Sequence, residues 1–251
     1  MKIIINGAFG RMGRVLTELI ENWTEHEIAA AVDIVCDKGK KNDCFCRLSD
    51  FRGEADCIID FSDSSCTDEV CSYAVGRRLP LVIAATGQSE KDNEIISAAA
   101  RFIPVLRAAN LSREMAVFRL LVSLAASKMP DCDIEITEIH RRSKADIPSG
   151  TALMLARDIV GECPSRSYKI GSGKSGTGKN GIISIHSLRL GENAGTHTVY
   201  FAQNGQTLTL SHESHGRIAY AVGAIQAAVF IYGRAPGLYS ENDLFGFDKN
   251  C

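Results

Sequence analysis

The chain has 251 residues, of which 45% are hydrophobic and 23% charged, and its formal net charge at pH 7 is −2. This composition is typical of a folded globular protein, and the length suffices for one large core or two smaller ones. The balanced charge excludes a general electrostatic attraction to nucleic acid or anionic membranes. The apolar run at residues 3–5 is too short for a signal peptide, and no segment approaches the roughly 18 apolar residues of a membrane span. We therefore expect a cytoplasmic protein with neither a nucleic-acid nor a membrane partner.

Nine cysteines, an odd number, occur without a signal peptide, which argues against a disulfide framework. Cys36, Cys44 and Cys46 could be considered as metal ligands. However, no histidine and no second cysteine pair lies at a spacing typical of zinc sites. We expect reduced thiols that serve mainly in packing, and no metal.

The first hundred residues alternate short apolar runs with segments of helical periodicity. Strands separated by helices of this length require crossover connections, which predict a parallel doubly wound sheet of the Rossmann type. Strands covered on both faces are expected to be apolar throughout. The predicted strands are 2–6, 28–32, 57–61, 81–85 and 103–106, and helices are predicted after Gly13 and over 68–77 and 90–101.

The pattern changes after about residue 112. An apolar helix over 114–127 precedes a strand at 133–140 in which apolar and polar residues alternate, as in a sheet with two different faces. Three later segments, 182–190, 197–202 and 207–213, are predicted as antiparallel strands, the last two joined by an Asn204-Gly205 turn. A final apolar helix spans 217–232. The fold class is therefore α/β, with a second α+β domain built on an open mixed sheet.

A glycine-containing loop joins the first strand to the first helix. Its backbone can turn tightly and approach a pyrophosphate, which the free N–H groups and positive dipole end of the helix would bind. The spacing is GxxGxxG rather than GxGxxG, and a purely structural turn is the alternative interpretation. The candidate cofactor-binding residues of the loop are Gly7, Ala8, Phe9, Gly10, Arg11 and Met12, followed by Gly13.

Asp33 ends the second predicted strand about twenty residues after this loop, where an acidic side chain can accept both hydroxyls of a ribose. The combination favours nucleotide binding. A carboxylate at this position repels a 2′-phosphate, whereas the nearby Lys38, Lys40 and Lys41 could attract one. We expect NADH to be preferred and NADPH to be tolerated.

The segment 135–152 carries the most chemistry. A half-buried strand directs Glu138 and His140 to the same face. A basic loop follows, and Ser149 starts a helix whose first N–H groups form an anion site. From the residues alone, two interpretations stay open: a carboxylate or phosphate pocket with an imidazole at its edge, or a solvated basic loop before a capped helix.

This segment resembles the signature of the 4-hydroxy-tetrahydrodipicolinate reductase family, E-[IV]-x-E-x-H-x-x-x-K-x-D-x-P-S-G-T-A, at every specified position. The resemblance covers nearly the whole chain and includes the glycine loop, Asp33 and the Gly-rich loop at 171–181. It implies a reductase of the diaminopimelate route to lysine that uses NADH and/or NADPH, a small dicarboxylate substrate and a homotetramer. It also implies a dinucleotide-binding domain at 1–112, completed by 218–251, and a substrate-binding and oligomerisation domain at 113–217.

The resemblance also implies residue roles. His140 and Lys144 would carry the acid–base step and polarise the substrate, while Ser149, Gly150 and Thr151 hold a carboxylate. Arg141 stands where many relatives have a second histidine, and it would bind a carboxylate as a permanent cation. The residues that would line the nicotinamide are Ala84, Ala85, Thr86, Ala108, Ala109, Asn110 and Leu111, although the family commonly has G-T-T-G where this chain has Ala84-Ala85-Thr86-Gly87.

Other hypotheses make different predictions. Residues 173–179 have the spacing of a phosphate-binding loop, but Asn180 replaces the required Ser or Thr and a strand follows, so an NTPase is rejected. The alternatives are a dehydrogenase that acts on an amino acid such as aspartate and a nicotinamide-sensing protein without catalysis.

We expect packing or surface roles for four further histidines: His186, His197, His212 and His215.

Overall fold

The computed structural model describes residues 1–36, 44–171 and 181–247. The chain forms two compact units, one made of Met1–Arg113 with Arg217–Cys251 and the other of Glu114–Gly216. Within the described residues, no helix is long and apolar enough to span a membrane.

The first unit is built on a parallel seven-stranded sheet. The strand order is β12-β6-β5-β4-β1-β2-β3, and every neighbouring pair is parallel. The strands are β1 (Lys2–Asn6), β2 (Glu27–Val32), β3 (Cys44–Phe45), β4 (Cys57–Asp60), β5 (Leu81–Ile83), β6 (Pro104–Arg107) and β12 (Gly237–Tyr239). The helices are α1 (Arg11–Trp23), α2 (Thr67–Arg77), α3 (Glu90–Ala99), α6 (Ile218–Ile231) and α7 (Glu241–Phe245), and two short 3-10 helices span Leu48–Asp50 and Ser64–Cys66.

Helices cover both faces of this sheet, which explains the uninterrupted apolar runs. Ile3 and Ile5 of β1 point to the face covered by α1 and α6, whereas Ile4 points to the face covered by α2 and α3. All three side chains are fully buried. Because successive side chains of a strand point to opposite faces, a strand between two helical layers must be apolar at every position. The doubly wound α/β fold is thereby confirmed.

Two edge strands were not predicted. β3 has two residues and β12 has three, and each pairs with only one neighbour in the sheet. A run of this length is too short to show a periodicity, so tertiary pairing and not local pattern defines these strands.

The second unit combines a mixed five-stranded sheet with two helices. β10 pairs antiparallel with β11 and β7, whereas β9 pairs parallel with β7 and β8. The elements are α4 (Arg113–Lys128), β7 (Asp133–His140), α5 (Gly150–Glu162), β8 (Ser167–Ile170), β9 (Ile182–Arg189), β10 (Gly195–Gln203) and β11 (Gln206–Ser214), with strand order β11-β10-β7-β9-β8.

The alternation along β7 decides which side chains enter the core of this unit. Ile134, Ile136, Glu138 and His140 are buried, and the residues between them are partly exposed. The two isoleucines belong to a core that also contains side chains from α4, α5 and β10. Glu138 and His140 therefore continue an apolar face rather than a solvated one.

One predicted pairing is wrong. The segment 182–190 was expected to lie antiparallel to its neighbours, but β9 is parallel to both β7 and β8. The alternation of residues fixes which way side chains point and does not identify the neighbouring strand. The connection from β9 to β10 therefore crosses β7. The Asn204-Gly205 turn between β10 and β11 is confirmed, with positive φ angles of 53° and 75°.

The cysteines also differ from expectation. Cys36 and Cys44 form a disulfide, so the expectation of reduced thiols is wrong for this pair. Pairing of β2 with β3 brings the two residues together, with the Asp33 N–H donating to the Phe45 carbonyl. The eight-residue spacing alone gave no indication of this contact. The thiols of Cys57, Cys71, Cys132 and Cys163 are free and buried.

Helix α6 approaches the segment after β6 so closely that only glycine fits at position 223. A Cβ atom there would lie 1.8 Å from the Leu111 carbonyl oxygen. We expect Gly223→Ala to lower the free energy of unfolding by about 1–3 kcal/mol or more, because the backbone must move. Gly76→Ala in α2 is the control, since a Cβ there has no neighbour within 4 Å, and it should raise stability by about 0.5–1 kcal/mol. Urea unfolding measures the stability of both variants. An unchanged free energy of unfolding for Gly223→Ala would contradict the expectation.

Candidate active site

The glycine loop after β1 is shaped by close backbone approaches. Gly7 has a φ of 79°, and its N–H and that of Ala8 donate to the Val32 carbonyl. A Cβ at Gly7 would lie 2.8 Å from backbone atoms of Phe61, and one at Gly13 would lie 2.2 Å from the Gly7 carbonyl oxygen. Both positions therefore require glycine for steric reasons, as a strand-to-helix turn beneath a pyrophosphate would.

The start of α1 fits an anion. Gly10 is the N-cap and has no side chain to bond the first N–H groups, and the first turn contains no acidic residue. Arg11 and Met12 form that first turn. Helix N-termini leave N–H groups without intrahelical partners and carry partial positive charge, so this geometry suits a dinucleotide phosphate.

Asp33 lies directly after β2 and next to the loop. One carboxylate oxygen accepts a hydrogen bond from the Phe9 N–H at 2.9 Å, and the other accepts from the Val35 N–H at 3.2 Å. The side chain is thus fixed beside the loop, where it can also accept ribose hydroxyls. Lys38, Lys40 and Lys41, which were predicted to attract a 2′-phosphate, lie outside the described residues.

The two segments predicted to line the nicotinamide follow neighbouring strands, so both lie at the carboxyl edge of the sheet. Ala84 N–H donates to the Asp60 carbonyl at the end of β4, and Ala108 N–H donates to the Ile83 carbonyl at the end of β5. Asn110 accepts from the Ser112 N–H at 2.9 Å, which closes the second segment into a turn. The remaining residues of these segments are Ala85, Thr86, Ala109 and Leu111, of which Ala85 and Leu111 are buried.

Asp60 is a buried acid at this edge that the sequence analysis missed. Its carboxylate accepts from Asn6 Nδ2 at 2.9 Å and from Ser62 Oγ at 2.6 Å. Burial raises the pKa of Asp60, although hydrogen bonds from Ser62 and Asn6 oppose the shift. The Asp60 contacts tie the ends of β1 and β4 together beside the glycine loop.

In the second unit, Glu138 and His140 form a buried pair on β7. A Glu138 carboxylate oxygen lies 2.5 Å from His140 Nδ1, and Glu138 is fully buried. The other carboxylate oxygen accepts from Arg189 at 2.8 Å and from the Ser149 N–H at 3.2 Å. The predicted acid–base histidine is therefore held by a carboxylate whose charge is balanced by an arginine.

His197 on β10 belongs to the same cluster, in agreement with the packing role expected for it. Its ring lies 5.1 Å from that of His140, edge to face, and its Nε2 lies 3.1 Å from Ser149 Oγ. Only 3% of the residue is exposed. Position 197 falls on the buried side of the β10 alternation, and that alternation was the signal in the sequence for its burial.

The loop between β7 and α5 carries the predicted cations. Lys144 Nζ lies 2.8 Å from the Asp146 carboxylate, and Arg189 donates to the Asp146 carbonyl. Arg141 Nε donates to Ser143 Oγ at 3.1 Å, and the Arg141 N–H donates to the Asn193 carbonyl. Lys144 and Arg141 thus follow His140 on a loop that is attached to its neighbours by several hydrogen bonds.

Helix α5 begins at the predicted position. Ser149 is its N-cap, and its hydroxyl accepts from the Ala152 N–H at 3.2 Å. A Cβ at Gly150 would meet no atom within 4 Å, so the helix start is open at that residue. Gly150 and Thr151 supply the first N–H groups of the helix, which are the ones that lack intrahelical partners.

Burial controls the charge of both imidazoles. Burial, with a contribution from the neighbouring His140, lowers the pKa of His197 to about 3. Burial also lowers the pKa of His140, with Lys144 and Arg189 acting in the same direction and Glu138 in the opposite one. The carboxylate of Glu138 stays ionised: burial raises its pKa, but contacts with Ser187, Arg189 and Ser149 lower it by more. At neutral pH the cluster is a carboxylate with two neutral imidazoles.

The same three residues have the donor types of a metal site. One potential ligand atom each from Glu138, His140 and His197 lies within 4.8 Å of the others. However, Arg189 and Lys144 already provide positive charge beside them. A bound cation would add to this positive charge, so we assign the cluster to hydrogen bonding and proton chemistry.

The fold and these two sites define a class: an oxidoreductase with a Rossmann-type unit and a separate α+β unit that carries an acid–base cluster. Comparison with known proteins is more specific. The family models described as dihydrodipicolinate reductase, N-terminus, and dihydrodipicolinate reductase, C-terminus, match residues 1–111 and 115–245. The chain therefore belongs to the dihydrodipicolinate reductase family, whose members are NADH- or NADPH-dependent reductases of the diaminopimelate route to lysine.

Individual relatives agree. The chain is 37% identical to the 4-hydroxy-tetrahydrodipicolinate reductase of Caldanaerobacter subterraneus subsp. tengcongensis, with 97% of this chain and 98% of the relative covered. It is 36% identical to that of Campylobacter jejuni, with 98% and 99% covered. Among solved structures, the dipicolinate-bound dihydrodipicolinate reductase of Paenisporosarcina sp. TG-14 superposes with a TM-score of 0.79 over 97% of this chain and 98% of that one, at 22% identity.

An aspartate dehydrogenase, the type of enzyme named above as an alternative, is also similar in fold. That of Thermotoga maritima has a TM-score of 0.51 at 12% identity, with 94% of this chain and 98% of that chain covered. A likeness at this level concerns the architecture alone. The full-length relatives and the intact signature support the reductase family instead.

The depressed pKa of His197 makes stability depend on pH. An unfolded histidine has a pKa of about 6.5, so the unfolded chain takes up this proton first as the pH falls. Folding is then weakened by about 1.4 kcal/mol per pH unit below 6.5 through this residue. Between pH 6.5 and 5, the free energy of unfolding of His197→Gln should therefore fall by about 2 kcal/mol less than that of the wild type. Urea unfolding at the two pH values measures this difference. Equal losses in the two proteins would contradict a buried neutral imidazole.

Proposed function

We propose that this chain catalyses the reduction of 4-hydroxy-tetrahydrodipicolinate to tetrahydrodipicolinate, with loss of water, at a site formed by the residues predicted above. The buried Glu138–His140 pair beside the open start of α5 is the observation that carries this proposal. It places a proton-transfer group next to an anion-binding backbone. This combination suits a dicarboxylate whose reduced form must gain a proton.

The first unit is the dinucleotide-binding domain in this proposal. The N–H groups of the loop and of the start of α1, from Gly7 to Met12, would bind the pyrophosphate, and Asp33 would accept the ribose hydroxyls. The predicted nicotinamide contacts are the segments 84–86 and 108–111. When bound, the reduced nicotinamide supplies the hydride.

Asp33 also bears on the choice of cofactor. Its carboxylate is held beside the loop by the N–H groups of Phe9 and Val35. A 2′-phosphate placed there would meet a fixed negative charge, whereas two ribose hydroxyls would meet an acceptor. We therefore assign a preference for NADH, with NADPH tolerated.

The second unit is the substrate-binding and oligomerisation domain. The substrate carries two carboxylates, and this chain offers Lys144, Arg141 and the first N–H groups of α5 to bind them. Gly150 and Thr151 are the backbone donors. Ser149 contributes indirectly, since its N–H donates to Glu138 and its hydroxyl caps the helix and contacts His197.

His140 moves the proton in this mechanism. Its imidazole is neutral at neutral pH in the free protein, because burial, Lys144 and Arg189 lower its pKa. A dianionic substrate close to the ring would raise that pKa and favour uptake of a proton, which the imidazole can then deliver to the electron-rich product of hydride transfer. The Lys144 ammonium, oriented by Asp146, would hold a carboxylate and polarise the ring of the substrate.

We also propose that the chain acts as a cytoplasmic homotetramer assembled through the sheet of the second unit. The two helices of this unit cover the core face, while the other face carries small polar side chains such as Thr137, Thr198 and Ser211. Thr198 and Ser211 are already hydrogen bonded across β10 and β11 at 2.9 Å. A sheet face that is not covered by the helices of its own unit is available to pack against another copy.

The proposed reaction is tested by following the absorbance of NADH and NADPH with substrate made in situ from pyruvate and aspartate semialdehyde. We expect oxidation only when the condensing enzyme is present, and faster oxidation with NADH. Absence of oxidation by folded, cofactor-binding wild type would overturn the proposal, and turnover with aspartate instead would support the dehydrogenase alternative.

The proposed role of His140 predicts a loss of turnover. His140→Ala should keep its affinity for the cofactor and lose turnover by about 10²–10⁴-fold, because the role of this residue is chemical.

The proposed role of Lys144 predicts a different kinetic defect. Lys144→Ala should raise KM for the substrate and lower kcat, while the affinity for NADH stays unchanged. Lys128→Ala is the control, because Lys128 is an exposed lysine in the last turn of α4. Steady-state kinetics and cofactor titration distinguish the two variants. A defect confined to cofactor binding would contradict the assignment.

A further inference from the structure

Glu138 has an unusual environment for a carboxylate. It is fully buried, and its two oxygens have different partners: His140 Nδ1 on one side, and Arg189 with the Ser149 N–H on the other. A buried charge is expensive unless it is paired and hydrogen bonded. Here Arg189 and the Ser149 N–H satisfy one oxygen, and the His140 ring lies close against the other, so the position of the carboxylate is defined by three neighbouring segments.

We propose that Glu138 is the positioning residue of the active site: it keeps the proton of His140 on Nδ1, so that Nε2 faces the substrate, and it fixes the start of α5 relative to that imidazole. The inference rests on the proposed function and assigns a role that the signature residues alone do not define. The tautomer of a histidine is set by the partner of its other nitrogen. Glu138 does not contact the substrate in this arrangement.

Gly195 supports the choice of Nε2 as the reactive nitrogen. A Cβ at position 195 would lie 3.0 Å from His140 Nε2, so any side chain there would crowd that atom. The opposite nitrogen, Nδ1, already faces Glu138. The edge-to-face contact with His197 further restricts rotation of the ring. Nδ1 therefore contacts Glu138, and the absence of a side chain at Gly195 leaves space beside Nε2.

Arg189 connects Glu138 to the loop between β7 and α5, which contains Lys144, the lysine proposed to bind the substrate. Its guanidinium donates to Glu138 and to the Asp146 carbonyl, and the Asp146 side chain pairs with Lys144. The imidazole, the helix start and the lysine loop are thus all connected to one carboxylate, directly or through Arg189. The charged and titratable groups around His140 are Glu138 on β7, Arg189 on β9, His197 on β10 and Lys144 on the loop.

Removing the charge of Glu138 tests the proposal. Glu138→Gln should lower kcat by about ten- to a hundredfold and move the pH inflection of His140 to lower pH, because the carboxylate is the group that favours the imidazolium. The affinity for NADH should not change. Histidine NMR titration gives the inflection directly, and Glu138→Asp should return it toward the wild-type value by restoring the charge.

A matched control lies on the same strand. Glu135 also pairs with a histidine, His186, at 2.6 Å, but on the opposite face of β7. Glu135→Gln should therefore keep the kcat and the His140 inflection of the wild type. If Glu138→Gln and Glu135→Gln behave alike, or if Glu138→Gln retains wild-type kcat and inflection, Glu138 has no positioning role.

Glu138→Gln removes the carboxylate partner of Arg189 and leaves its charge unbalanced, so a second variant removes both charges. The double variant Glu138→Gln with Arg189→Gln removes both charges together. In that protein the same decrease in kcat supports the proposal, and wild-type kcat overturns it. These outcomes are separate from failure of the proposed function, which the wild type itself would reveal by not oxidising either cofactor.

Discussion

The pairing of Glu138 with Arg189 is the interaction on which the second unit depends. A carboxylate in the interior of a sheet requires a cation and hydrogen-bond donors, and here they come from three separate segments: Arg189 of β9, the Ser149 N–H at the start of α5, and the His140 ring on β7 itself. Because all three segments must arrive together to satisfy one charge, correct folding of this unit also assembles its chemistry. The parallel placement of β9 beside β7, which was not predicted, is what brings Arg189 within reach.

A steric constraint has the corresponding role in the first unit. Gly7 and Gly13 allow the loop, the start of α1 and the chain after β4 to approach within backbone contact distance. The helix start is thereby placed at the carboxyl edge of the sheet, where the segments after β5 and β6 also lie. Backbone geometry forms this site, while charged side chains form the other. This difference suits their ligands, since a pyrophosphate can be bound by N–H groups alone, whereas proton transfer requires a titratable side chain.

Much of this architecture could be predicted because it rests on local patterns. The apolar runs of β1 and β4 and the alternation of β7 report burial directly, and the signature from Glu135 to Ala152 identified the family that the comparisons support. What could not be predicted depends on pairing between distant segments. The neighbours of β9, the edge strand β12 and the contact of Cys36 with Cys44 have no local signal. The burial of His197 agrees with the alternation of β10, but its particular neighbours on β7 and at the start of α5 could not be identified from that alternation.

The location of the buried network bears on Arg141, the position at which the family resemblance leads us to expect a second histidine. Arg141 is partly exposed on the loop and donates to Ser143, whereas Glu138 and Ser149 are buried and hydrogen bonded to each other. The orientation of His140 is set from the buried side, so it does not depend on the residue that follows. In the proposed function, a change at position 141 would therefore alter how a substrate carboxylate is held and leave the proposed proton-transfer group in place.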